Sequence, residues 1–261
     1  MYALLKNLQR SHIDEVTASS TGNHGAATAF AARTLGVSAT IFLPEQPNPI
    51  KRRKIEDLGA RIVCHGSIDL AGAFLMASEY SRRPGVYFLN DATDPDLPAG
   101  PATIGLEILQ QLRELSAVFV PMGDTALIRG VGAAIKQISS QTKVIGVQAE
   151  QAPAYVLSWR AARPVSTDTC DTCADGLATR TPESANVAAI REVVDETILV
   201  SEAQMIDAIR HLYVTEKVLA EPAGAAASAA YLANPMPGRV ALLVTGANVT
   251  DEVRQRAGIA E

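Results

Sequence analysis

Cysteine is scarce in this 261-residue sequence: the three present are too few to tie such a chain into a disulfide framework, which points to a reducing compartment. No long apolar stretch follows Met1-Tyr2-Ala3-Leu4-Leu5-Lys6, so a signal peptide is not expected and a cytoplasmic location is. The longest small-apolar tract, Ala223 to Ala233, is broken by Ser228 and is too short to cross a bilayer, so no membrane partner is expected. Neither sign of charge dominates. The 23 Lys+Arg against 28 Asp+Glu leave a formal charge of −5, which offers no polyanion-binding surface and sets nucleic acid aside as a partner. Solenoid-period repeats and low-complexity tracts are lacking as well. What is present is a chain 48% hydrophobic and 20% charged, enough for a real core. Its length lies near the upper limit for one core, so one large domain or two closely joined ones are expected.

Short apolar runs alternate with helical patterns almost from end to end. Ser38-Ala39-Thr40-Ile41-Phe42-Leu43, ended by Pro44, reads as a strand. So do Arg61-Ile62-Val63-Cys64, Ala117-Val118-Phe119-Val120, Val144-Ile145-Gly146-Val147 and Val240-Ala241-Leu242-Leu243-Val244. Continuous apolar runs of this kind suit strands buried on both faces of a parallel sheet. Between them, Ala27, Phe30, Ala31 and Leu35 form one helical face that Gly36 stops. Ser201-Glu202-Ala203-Gln204 has capping-box spacing ahead of Met205, Ile209 and Leu212. The pattern predicts an α/β fold with mostly parallel sheets. Arg163 to Glu183, rich in Thr, Asp and Pro, reads as a long surface connection.

Three strand-to-helix loops carry chemistry. Ala18-Ser19-Ser20-Thr21-Gly22-Asn23-His24-Gly25 follows the short strand Glu15-Val16-Thr17 and opens an Ala-rich helix. Backbone N–H groups and hydroxyls at a helix start make a site for a carboxylate or phosphate, and Asn23 adds a side-chain amide. The same residues also make an ordinary capped turn, and the pattern does not separate the two. Pro121-Met122-Gly123-Asp124-Thr125-Ala126-Leu127 repeats the arrangement after the strand ending at Val120, at the edge where parallel sheets capture phosphate. There Asp124 repels an anion unless its side chain turns back to cap the helix. Thr245-Gly246-Ala247-Asn248 ends the last strand, and Glu221-Pro222-Ala223-Gly224 opens another small-residue helix.

Other candidates are weaker. Cys170-Asp171-Thr172-Cys173 lacks a second Cys or His pair at zinc spacing, so no metal is assigned. Among the histidines only His24 lies in a motif; His12, His65 and His211 read as surface or packing residues. The Lys51-Arg52-Arg53-Lys54 cluster reads as a solvated helix face.

In this order the loops resemble one family: the pyridoxal-phosphate-dependent threonine/serine dehydratases and serine racemases, of tryptophan synthase β-like fold (fold type II). Gly100-Pro101-Ala102-Thr103-Ile104-Gly105-Leu106-Glu107-Ile108 and Ala174-Asp175-Gly176-Leu177-Ala178 strengthen the match, which runs along essentially the whole chain. The resemblance implies two unequal α/β domains, a smaller one over 15–92 and a larger, cofactor-binding one over 1–14 and 93–261, incomplete at its N-terminus. It implies pyridoxal 5'-phosphate as cofactor, a small amino acid as substrate and a homo-oligomer, a dimer. Ser20, Thr21, Gly22, Asn23 and His24 would bind the substrate carboxylate, with Asn23 also touching the cofactor's ring hydroxyl oxygen. Gly123, Asp124, Thr125, Ala126 and Leu127 would cradle the phosphate, Thr245 would meet the pyridine nitrogen, and Glu221 would sit close to the ring. Asn23, Gly123, Glu221 and Thr245 are then expected to line one cleft.

The sequence departs from the family's pattern in three places. Its phosphate loop keeps one glycine, Gly123, of the usual four. Thr21 stands where the racemases carry a serine acid/base. The Schiff-base lysine belongs to a Ser-Phe-Lys-x-Arg-Gly segment ahead of the first helix, and Met1 to Leu8 looks like that helix. A truncation or misassigned start is therefore expected, and none of Lys6, Lys51, Lys54, Lys136, Lys143 and Lys217 takes the missing position. The family's activity is dehydration of threonine or serine to a 2-oxo acid and ammonia, and the chain as given is expected to be inactive. The alternatives are a non-catalytic remnant binding an anionic ligand or partner subunit, and an amino-acid racemase.

Overall fold

The pairing of apolar strands through crossover helices builds two four-stranded, all-parallel sheets. A computed structural model describes residues 1–20, 22–47, 49–64 and 70–259. The contacts divide the chain into Met1–Leu97 and Pro98–Glu261.

The first unit runs α1 (Tyr2–Arg10), β1 (Glu15–Ser19), α2 (Asn23–Leu35), β2 (Ser38–Phe42), α3 (Pro49–Asp57), β3 (Arg61–Val63), α4 (Leu70–Tyr80) and β4 (Val86–Phe88). Its strand order is β3-β2-β1-β4. Alternation along the strands sends Ala18 and Ile41 toward α2 and α3, where Ala26, Ala29 and Ile55 meet them. Phe42 and Phe88 face Ala73 and Ala77 of α4. Gly36 ends α2 in the left-handed conformation, as its position after the apolar face predicts. The sequence reading set residues 1–14 with the larger domain. Here Ala3 and Leu4 of α1 are buried in one cluster with Val16, Ala31, Ala32 and Leu89, which ties that helix to the first unit.

The second unit runs α5 (Ala99–Gln111), β5 (Ala117–Pro121), α6 (Ala126–Ile138), β6 (Lys143–Ala149), α7 (Ala154–Ala161), a 3-10 turn (Asp175–Leu177), α8 (Ser184–Val193), β7 (Glu196–Val200), α9 (Glu202–His211), a π-helical turn (Leu212–Glu216), α10 (Pro222–Ala233), β8 (Val240–Leu242) and α11 (Asp251–Ala257). The order is β7-β6-β5-β8, and β5 is buried along its whole length. Val118, Val120 and Val144 pack toward α6, α7 and α8, while Phe119, Ile145 and Val147 pack toward α9 and α10. That two-sided burial is why these strands read as unbroken apolar runs.

Two strands escape the sequence pattern. β4 is three half-buried residues, and β7 begins on Glu196 and Thr197, so neither shows a long apolar run. Among the described residues no helix is long and apolar enough to cross a membrane.

The capping box appears as the spacing predicts: Ser201 Oγ accepts from the Gln204 N–H at 3.3 Å, and Gln204 Oε1 accepts from the Ser201 N–H at 2.8 Å. Ser201→Ala is expected to cost about 1 kcal/mol. Urea unfolding, with an unchanged slope and a lowered midpoint, checks this.

Candidate active site

In both sheets the chain reverses its direction of progress next to a central strand, between β1 and β4 and between β5 and β8. Loops at the carboxyl ends of strands on either side of such a reversal run apart and leave a crevice. Ser20–His24 follows β1, Gly123–Leu127 follows β5, and Thr245 follows β8. Every loop singled out in the sequence therefore lies at a switch point.

In the first unit, the Ser20 N–H donates to the Phe42 carbonyl at 3.1 Å, and the Ser20 side-chain oxygen accepts from the Gly22 N–H at 2.9 Å. The loop thus folds on its own hydroxyl before α2 begins. His24 Nε2 lies 2.8 Å from the Leu89 carbonyl. A carbonyl only accepts, so Nε2 carries the proton and the ring pins the start of α2 to the segment after β4. Asn23 is exposed at the first position of α2, in the turn whose N–H groups lack intrahelical acceptors. Thr21 and His65 lie outside the described residues, while His12 and His211 are exposed.

In the second unit, four segments abut at van der Waals limits. A methyl group on Gly123 would lie 2.2 Å from the Gly176 carbonyl oxygen, and one on Gly224 would lie 1.5 Å from that of Thr245. Gly246 has φ +67°, and a methyl there would meet the Glu221 carboxylate at 2.2 Å, so both backbone and space demand glycine. Glu221, 2% exposed, accepts from the N–H and the side-chain amide of Asn248, both at 3.1 Å. Its own N–H donates to the Gly246 carbonyl at 3.1 Å. Glu221 and Thr245 thus lie on neighbouring segments of this unit, and Gly123 lies against the Gly176 turn.

The Asp124 carboxylate accepts from the Thr179 hydroxyl at 3.1 Å. Thr125 holds the cap position of α6, at φ +70°. Residues the sequence reasoning missed brace the loop: Asn186 Nδ2 donates to the Asp124 carbonyl at 3.5 Å and to the Tyr155 hydroxyl at 3.2 Å. Burial raises the Tyr155 pKa. Asn186 sits inside an ordinary helical pattern, and no local signal marks it.

These residues fit a phosphate-bearing cofactor. The Thr125 hydroxyl is buried without a hydrogen-bond partner among the described residues, beside the orphan N–H groups of the first turn of α6. A threonine held at positive φ with its polar atom unsatisfied costs of order 1–3 kcal/mol, and a bound anion would repay part of it.

Lys136 pairs with Asp195 at 2.6 Å, and Lys217 Nζ donates to the Val214 carbonyl at 2.7 Å. The Cys173 pKa is pushed up to about 12, by burial first and then by the neighbouring Glu202 carboxylate. Among the described residues no group of three or more His, Cys, Asp and Glu could hold a metal ion.

The chain is similar to known proteins along most of its length. The family model "pyridoxal-phosphate dependent enzyme" matches residues 1–246, and the chain belongs to that family. The L-threonine ammonia-lyase of Thermotoga maritima is 37% identical over 236 residues, which are 90% of this chain and 59% of the relative. The chain therefore spans less than two thirds of that relative's length. The solved threonine deaminase isoform 2 of Solanum lycopersicum superposes with a TM-score of 0.90 at 31% identity, over 98% of this chain and 73% of that one. A second solved threonine deaminase, from T.th., gives 0.88 at 32% identity, over 95% and 82%. The expected fold class, tryptophan synthase β-like with parallel sheets, stands.

Thr125→Val, which keeps the shape and removes the hydroxyl, is expected to weaken pyridoxal phosphate binding at least tenfold, from about 1.5–3 kcal/mol for a hydrogen bond to a charged group. Thr125→Gly relieves the backbone and is expected to raise the urea midpoint in the absence of cofactor. Absorbance titration and urea unfolding check the pair. Cys173, a neutral thiol at about pH 8, is expected to alkylate more slowly than Cys170 with iodoacetamide, as peptide mass spectrometry would show.

Proposed function

We propose that the whole protein is a dehydratase, an ammonia-lyase, of a small β-hydroxy amino acid, threonine or serine. The observation that carries this is the partnerless buried hydroxyl of Thr125 at the start of α6, with the Glu221 and Thr245 segments packed beside each other in the same unit. The relatives named threonine ammonia-lyase and threonine deaminase support the choice of substrate.

When bound, pyridoxal phosphate supplies an electron sink for negative charge at the substrate α-carbon. The Thr125 hydroxyl and the N–H groups of Ala126 and Leu127 hold the phosphate, and Gly123 lets the backbone come close. Asp124, drawn to Thr179, keeps its charge directed at a hydroxyl. Thr245 offers a neutral hydroxyl to the pyridine nitrogen, which does not hold that nitrogen protonated as a carboxylate would. Glu221 stays near the ring, fixed by Asn248. Ser20–His24 orients the substrate carboxylate on the amino end of α2. No Ser-Phe-Lys-x-Arg-Gly segment occurs in the 261 residues, so removal of the α-proton is assigned to none of the six lysines.

Full-length protein supplied with pyridoxal phosphate is expected to release ammonia and 2-oxobutanoate from L-threonine in equal amounts. The 261 residues alone are expected to bind the cofactor reversibly, with no lysine fixed by borohydride. If the full-length protein binds cofactor but releases no ammonia from threonine or serine, the dehydratase assignment falls. Chiral chromatography of the recovered amino acid then decides whether it is a racemase.

A further inference from the structure

Of the Lys51-Arg52-Arg53-Lys54 cluster, only the last three residues form the solvated face that the sequence suggests. Lys51 is 3% exposed, and among the described residues it is the one buried lysine. It lies one turn before Ile55, which is fully buried, so α3 turns the pair inward. What they cover is the start of α2. A methyl group on Gly22 would lie 2.0 Å from Cδ of Lys51, 2.8 Å from Cγ and 2.9 Å from Cε. One on Gly25 would lie 3.1 Å from Cδ1 of Ile55. The lysine stem therefore runs across the backbone of Gly22, and a side chain at position 22 would have to displace it.

Taking an ammonium out of water is costly, and its partners must offset that cost. An apolar residue of the same length would fill the space over Gly22 without it. The charge also lies beside the loop that its stem crosses. The amino end of α2 already carries a partial positive charge and N–H groups without intrahelical acceptors, and a cation beside it raises the attraction for a carboxylate.

We propose that Lys51 is a positioning residue of the carboxylate subsite: its stem sets the backbone of Gly22, and its ammonium strengthens the hold of the α2 amino end on the substrate carboxylate. This rests on the reading of Ser20–His24 as the substrate loop. Lys51 takes no part in the bond-breaking steps.

The test uses L-lactate, a 2-hydroxy carboxylate without an amine, in purified protein with pyridoxal phosphate present. Hydrogen exchange of the amides of Gly22 to Ala26 is followed as lactate is added. Lactate is expected to slow that exchange, with a half-saturating concentration about tenfold higher in Lys51→Met, which keeps the stem and loses the charge. Lys51→Arg is expected to return it to within about threefold of the parent. Lys51→Ala, which removes the stem as well, is expected to speed exchange of these amides at least about tenfold without lactate. No protection in the parent, an unchanged midpoint in Lys51→Met, or a loss that Lys51→Arg does not rescue overturns the proposal. Ammonia release is measured separately: its absence beside intact, Lys51-dependent protection removes the dehydratase reading and leaves the positioning role standing.

Discussion

A strand hydrogen-bonded on both sides, whose neighbours are reached by crossovers leaving in opposite directions, has an opening at its carboxyl end that no further backbone closes. β1 and β5 are such strands, each paired with the next strand in sequence on one side and with the last of its sheet on the other. The placement of the candidate loops follows from that arrangement. Gly22 and Thr125 cap the helices that leave these two openings, and both helices run thirteen residues into the core. The packing beneath is dense enough that Gly123, Gly224 and Gly246 have room for no side chain. A site that admits so little movement holds its donors in place before any ligand arrives.

The sequence shows the sheets more clearly than the sites. Runs such as Ala117–Val120 and Val144–Val147 lie between two layers of helices, and burial on both faces leaves an unbroken apolar signature. Strands β4 and β7 lack that signature because their residues are partly exposed or polar at the start. The loops are visible as glycine, serine and threonine between strand and helix, yet the same residues make plain turns. Their order along the chain, more than any one of them, carries the resemblance.

What the sequence hides is long-range. Asp124 reads as a helix cap or a flaw in an anion site, and only the fold shows Thr179, fifty-five positions away, taking its carboxylate. Asn186 braces the same loop from inside a helix whose pattern is otherwise ordinary. Lys51 is hidden differently: it stands in a run of four cations, and helical phase decides that this one faces inward while its neighbours meet water.

The pairing of β5 with β8 also bears on how the chain is made. Ala117 is in register with Val240, a partner synthesised roughly 120 residues later. At about 5–20 residues per second, one edge of β5 waits of order 6–25 s for that partner to leave the ribosome. Until then it presents unpaired N–H and C=O groups along an apolar strand, the kind of surface that recruits other nascent chains. The geometry that opens a crevice in the finished molecule therefore leaves a sticky edge in the unfinished one, and the yield of folded protein should depend on translation speed between these two strands.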